Sequence, residues 1–178
     1  MGVDVRLEPF TQEHLDAFAE MLDDPAIQRF TRIPIPAPHD FPKTWFEGYE
    51  RGRRDGSREI FAIVDEADGS YVGFAVAPHI DRGARTAELG YVVAPEARGR
   101  GIATEALRRL TRWAFEELDP VRLELLISVE NDASKGVARK CGYVYEGTLR
   151  MTHFKQDIWE DCEVWSRIAT DPDPFATG

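Results

Sequence analysis

Two cysteines in 178 residues, Cys141 and Cys162, are too few for a disulfide framework, and neither sits in a CxxC pair or a His-rich cluster that would hold zinc. Both are expected to be ordinary thiols. The four histidines, His14, His39, His79 and His153, share no ligand spacing, so surface or packing roles are expected and no metal site. No stretch approaches the ~18 apolar residues of a membrane span. The opening MGVDVRLEPF lacks the basic segment and apolar run of a secretory leader, so a cytoplasmic protein with no membrane partner is expected. Positive charge is also scarce. With 22 Lys and Arg against 32 Asp and Glu, the net charge is -10, which argues against nucleic acid as partner because such binding rests on a basic footprint. There is no internal repeat and no low-complexity region. One domain over residues 1–170 with a flexible tail at 171–178 is the expectation.

What is present is an alternation of elements. Val3, Val5 and Leu7 share one face of a first strand, and Thr11 can cap a helix carrying Leu15, Phe18, Ala19 and Leu22 at helical spacing. Prolines 34, 36, 38 and 42 forbid regular structure in TRIPIPAPHDFP, after which KTWFEGYERGRR reads as a short helix. Strands are expected at Ile60–Val64 and Tyr71–Ala77 around the turn ADGS, and again at TAELGYVV, where Leu89, Tyr91 and Val93 face one side and Glu88, Gly90 and Val92 the other. Pro95 ends that strand.

Ala103, Leu107, Leu110, Ala114 and Leu118 recur every three or four residues, so a helix is expected from about Gly101 to Leu118, followed by a strand in VRLELLISV. A helix between two strands implies a crossover and a parallel pair, with the Gly-rich loop at the carboxyl end of the first strand, where such sheets bind ligands. A short helix capped near Asn131 or Asp132 and closed by Gly142, then the final strands, completes an α/β (α+β) chain.

The Arg/Gly cluster in APEARGRGIATEAL, residues 94–107, lies at the mouth of the long helix. A helix N-terminus has unpartnered N–H groups and partial positive charge, and glycines let phosphate oxygens approach the backbone. A phosphate or pyrophosphate is the natural guest, with Arg98 and Arg100 adding formal charge. No Gly-Lys pair exists, so a GxxxxGK[ST] loop is excluded; a GxGxxG fingerprint would need glycine where Thr104 stands.

The run Arg98, Gly99, Arg100, Gly101, Ile102, Ala103 matches R-x-x-G-x-A. With NDASKGVARKCGY some thirty residues on, the Pro-rich loop, AELGYVV and GYVYEG, the chain resembles the GCN5-related N-acetyltransferase superfamily, GNAT, and within it the ribosomal-protein RimJ/RimL-like branch. The resemblance implies a mixed central sheet of about seven strands with a splayed parallel pair in the middle and about four flanking helices. It implies acetyl-CoA as co-substrate, with no metal. The pantetheine would pair with backbone near Val92 and Val93, the pyrophosphate would rest on amides from Arg98 or Gly99 through Arg100, Gly101 and Ile102 to Ala103, and Asn131 and Ser134 would line the far side.

The acceptor is then a primary amine, which is protonated at neutral pH, with pKa about 10.4 for lysine and about 7.7–8.0 for an α-amino group, and must lose a proton. Glu88 faces the side assigned to the gap and is the candidate base; a structural carboxylate or a water base are its alternatives. Ser134 is the candidate donor to the departing thiolate. Many relatives carry a tyrosine four residues before the closing glycine and some a glutamate five before the asparagine; here these positions are Ala138 and Leu126. Direct transfer is expected, with Cys141 buried rather than an acyl carrier. The branch suggests a protein N-terminal amine as acceptor, and the net charge equally suits a polyamine or an aminoglycoside. The Pro-rich loop and MTHFKQDIWED with Trp159 are expected to recognise it, and Trp113 and Trp165 to pack in the core. A non-catalytic acyl-CoA-binding module is a further alternative. A homodimer is expected if the long helix or last strands expose apolar faces.

Overall fold

The computed structural model describes residues 3–176. Seven strands form one mixed sheet in the order β1-β2-β3-β4-β5-β7-β6. These are β1 (Val5–Pro9), β2 (Glu59–Asp65), β3 (Tyr71–Asp81), β4 (Thr86–Val93), β5 (Arg122–Ser128), β6 (Val144–Lys155) and β7 (Ile158–Ile168). Neighbours run antiparallel except β4 and β5, as a helical crossover between them requires. The last strand does not add to the edge; β7 inserts between β5 and β6.

Five α-helices lie among the described residues: α1 (Leu15–Met21), α2 (Pro25–Phe30), α3 (Phe41–Asp55), α4 (Ile102–Leu118) and α5 (Asp132–Lys140). Alternation along the strands separates the two faces. Phe74 in β3 meets Trp45 of α3 at 5.1 Å, and Phe10, Phe18 and Phe46 complete an aromatic cluster there. Phe61 in β2 points the other way, to Trp113 of α4 at 4.9 Å. That face is sealed by Ile102, Ala106, Leu107, Leu110 and Ala114, all buried.

Three readings of the helical elements need correction. Helix α2 was not foreseen: it is six residues long, with Pro25 in its first turn and Asp24 accepting the Ile27 N–H at 2.9 Å. Pro42 does not break structure but opens α3, where a missing N–H costs nothing. On α1 the buried positions are Phe18 and Met21, with buried Leu22 just past its end, while Ala19 is exposed. The segment read as a flexible tail touches the body: Arg167 donates to Pro172 O and to Asp173 at 3.4 Å, and Arg108 lies over the Phe175 ring. Residues 177 and 178 lie outside the described residues.

Gly73 marks the closest approach of β3 to β4. Its φ is 147°, and a Cβ there would lie 2.1 Å from the Val92 carbonyl oxygen. Gly73→Ala must push the two strands apart, and a loss of about 1–3 kcal/mol in stability is expected from urea unfolding. An unchanged midpoint would contradict this contact.

Candidate active site

The parallel pair holds over a short distance only. Thr86, Ala87 and Glu88 lie opposite Arg122, Leu123 and Glu124, and beyond them β4 keeps β3 as partner and β5 keeps β7. The strands splay into a V whose fork is at Glu88. Because Ala94 N–H donates to Val72 O and the β3–β4 register pairs Val92 with Phe74, alternation turns the backbone groups of Val92 toward β3 and those of Tyr91 and Val93 into the V. Of the two residues expected to offer backbone groups to the gap, Val93 faces it with Tyr91, whereas Val92 is turned toward β3.

At the open end of the V the chain enters α4. Gly99 and Gly101 have φ of 75° and 88°, the left-handed region glycine tolerates, and a Cβ at either would meet nothing within 4 Å. Glu105 N–H makes the bond to Gly101 O, and no side chain caps this end, so the first-turn amides from Ile102 point outward without acceptors. This surface fits a pyrophosphate: donors, a helix dipole and unobstructed backbone.

The two arginines are engaged elsewhere. Arg98 holds Asp24 at 2.6 and 3.2 Å and donates to Val93 O at 3.2 Å, tying the start of α2 to the loop and keeping the Asp24 carboxyl below the usual carboxylate range. Arg100 pairs at 2.5 Å with Asp65, which is 2% exposed. The positive field expected from free guanidinium groups comes instead mainly from the helix terminus.

On the far arm of the V, the Asn131 side chain accepts the Ser134 N–H at 3.1 Å and caps α5. The buried Tyr91 hydroxyl comes in beside Ser134. Burial pushes its pKa up to about 12, the serine hydroxyl partly offsets that rise, and the two fall short of hydrogen-bond geometry, so the phenol has no partner among the described residues. Tyr91 was read only as a core-face residue of its strand; that its hydroxyl reaches α5 depends on a contact 43 positions away and no local pattern signals it. Ala138 is fully buried. Cys141 is buried too, donates to Thr104 O at 3.4 Å, and has its pKa raised to about 12 by burial, which makes it an inert thiol.

Glu88 faces the opposite side of the sheet, toward α3 and the Pro-rich loop. Burial raises its pKa above the ordinary 4.5; Glu124 on β5 adds to the rise, and Arg32 and His79 work against it. The nearest cation is Arg32, at 3.9 Å. A half-buried carboxylate at the fork, with weak countercharge, is placed to accept a proton more readily than an ordinary surface carboxylate.

The Pro-rich loop and the β6–β7 hairpin converge in one open cleft of about 570 Å³, lined by Arg32, Ile33, Pro34, Ile35 and by Thr152–Gln156 with Trp159. Trp159 is 53% exposed and packs on Phe154, whereas Trp165 is buried and Trp113 packs on the sheet. Of the histidines, His14 accepts the Thr11 N–H at 3.0 Å, His39 and His79 are exposed, and His153 is buried in the cleft wall. No group of metal-ligating side chains occurs among the described residues, and no helix among them is long and apolar enough to cross a membrane.

The acetyltransferase (GNAT) domain model matches residues 4–144. YdaF of Bacillus subtilis, which carries the provisional name ribosomal N-acetyltransferase, is 40% identical over 57% of this chain and 55% of its own length. The chain thus spans little more than half of YdaF. Spermidine N(1)-acetyltransferase of Escherichia coli is 26% identical over 84% of this chain and 78% of its own. Among solved structures, Mycobacterium smegmatis RimJ in complex with a CoA disulfide superposes with a TM-score of 0.84 at 25% identity, covering 96% of this chain and 85% of that one.

Proposed function

The chain belongs to the GNAT acetyltransferase family, and from that premise we propose that it transfers the acetyl group of acetyl-CoA directly to a primary amine, the N-terminal amine of a protein or peptide. The observation that carries this reading is the splayed β4–β5 pair, with a proton acceptor at its fork and an uncapped, glycine-led helix terminus at its mouth. Acetyl-CoA supplies the activated acetyl thioester. The outward amides of Ile102 and Ala103 with those of the Gly99–Gly101 loop hold its pyrophosphate, and the gap-facing backbone of Tyr91 and Val93 holds the pantetheine.

Glu88 takes the ammonium proton, directly or through water, from the acceptor side. Ser134, with Tyr91 behind it, presents a hydroxyl from the CoA side to the departing sulfur. Base and donor therefore stand on opposite faces of the V, as transfer across it requires. The departures at Ala138 and Leu126 leave these two roles to residues of β4 and the first turn of α5.

The acceptor is read from charge close to the site rather than from the net charge of -10. Arg32 and Lys155 line the cleft, which disfavours a polyamine or an aminoglycoside and suits a peptide amine. The exposed apolar residues of β6 and β7, including Met151, Phe154 and Ile158, support a homodimer. The test is thiol release from acetyl-CoA with a panel of peptides, spermidine and an aminoglycoside. Release with peptides is expected; acetyl-CoA binding without release on any amine would favour a non-catalytic binding module.

A further inference from the structure

The acceptor cleft carries more positive charge than transfer to an amine needs. Arg32, at the start of the Pro-rich loop, has a side chain 66% exposed; its nearest carboxylate is Glu88 at 3.9 Å, and it makes no hydrogen bond among the described residues. Lys155, across the cleft on the β6–β7 hairpin, donates to Thr31 O at 2.6 Å. Burial and the neighbouring Arg29 lower its pKa, with Glu160 working against them. His153 forms the wall between them. It is 9% exposed, its Nδ1 lies 3.6 Å from Glu160, and its Nε2 has no partner among the described residues.

The acidic groups nearby offset this charge only in part, Glu160 acting on both His153 and Lys155. Glu160 is committed to Arg29 at 2.5 Å, and Arg29 also holds Glu130 at 2.6 Å. Asp161 accepts the Met151 N–H at 2.8 Å. Glu88 is the base assigned above and is needed for the ammonium. An acceptor that brought only a cation would leave Arg32 facing it across the fork, and a buried imidazole nitrogen without a partner is costly in a resting wall.

We infer that Arg32 and Lys155, with His153 in the wall behind them, form a carboxylate subsite, and that the acceptor amine carries a carboxylate within about one residue's reach. This rests on the acetyltransferase reading given above. The spacing supports that reach: Arg32 lies within 4 Å of the group that takes the amine proton, so amine and anion must be close on one substrate. Two sources have this chemistry, an acidic side chain on the N-terminal residue of a peptide and the α-carboxylate of a free amino acid. Arg32, a planar fork whose nearest carboxylate, Glu88, lies at 3.9 Å, is suited to either.

The experiment compares kcat/KM for acetylation of one peptide sequence begun with Asp, Asn or Lys, together with free alanine and alaninamide. The wild type is expected to prefer Asp over Asn by about tenfold or more, the scale of one charge-assisted hydrogen bond, and Lys least. Arg32→Gln should collapse the Asp-to-Asn ratio toward unity, and Arg32→Glu should turn it toward Lys. A preference for alanine over alaninamide, without an Asp preference, would support the subsite and assign the carboxylate to a free amino acid. Equal rates on Asp, Asn and Lys peptides, with alanine equal to alaninamide, would overturn the subsite while leaving the acetyltransferase intact. Thiol release with none of these amines would overturn both.

Discussion

Replacing Glu88 with glutamine is expected to lower turnover by about a hundredfold or more while acetyl-CoA binding stays intact, because a positioned general base is worth about 10²–10⁴. The pH dependence gives the sharper reading. A base acts in its deprotonated form, so rate falls as pH drops through the pKa of Glu88. That pKa stands above the ordinary carboxylate range because burial and the opposing Glu124 outweigh Arg32 and His79. The acid limb of the wild-type profile should accordingly lie above pH 4.5. The acceptor's own ionisation, about 7.7–8.0 for an α-amine, is common to both enzymes. The Glu88 limb is therefore the difference between the wild-type and Glu88→Gln profiles. Identical profiles with equal rates would assign deprotonation to solvent and Glu88 to structure.

The second large effect is expected at Gly101. Its φ of 88° is in the left-handed region, so a β-branched residue there is strained by about 1–3 kcal/mol before any ligand is considered. The empty space around its missing Cβ is also the approach to the first-turn amides of α4. Gly101→Val should thus weaken acetyl-CoA binding by about tenfold or more in titration calorimetry, either by occupying that approach or by turning the loop amides away. Gly101→Ala should fall between. Unchanged affinity in the valine variant would mean that the pyrophosphate lies elsewhere.

The parts of this molecule that were legible in its sequence are those fixed by local pattern. The period-two alternation of TAELGYVV placed Glu88 and Tyr91 on opposite faces, which prove to be those of α3 and α4, and the apolar stripe from Ala103 to Leu118 identified the crossover helix and hence the parallel pair. Asn131 as the cap of α5 followed from residue type at a helix start. What was illegible depends on distant partners. Arg98 and Arg100 look like phosphate ligands beside their glycines, but Asp24 lies 74 positions from the first and Asp65 35 from the second. Neither pairing leaves a local trace. Helix α2 is too short for periodicity to declare itself, and Pro42 reads as a breaker although it opens a helix, as Pro25 does in α2.

The acceptor cleft shows the same division. The Pro-rich loop and MTHFKQDIWED were expected together on the acceptor side, but from the family resemblance and not from any pattern of their own. That they meet follows from β7 lying between β5 and β6, an order no pattern within either segment encodes. The charge of the cleft, set by Arg32 and Lys155, runs against the acidity of the whole chain. Net charge describes the surface as a whole, whereas selection of an acceptor depends on the few groups within a Debye length of the fork.

The most direct test is a crystal structure with CoA bound. The pyrophosphate is expected on the amides of Gly99 to Ala103, the pantetheine between Tyr91–Val93 and the start of α5, and the thiol between Ser134 and Glu88. CoA bound outside the β4–β5 fork, with the Gly99–Ala103 amides facing only solvent, would contradict the account.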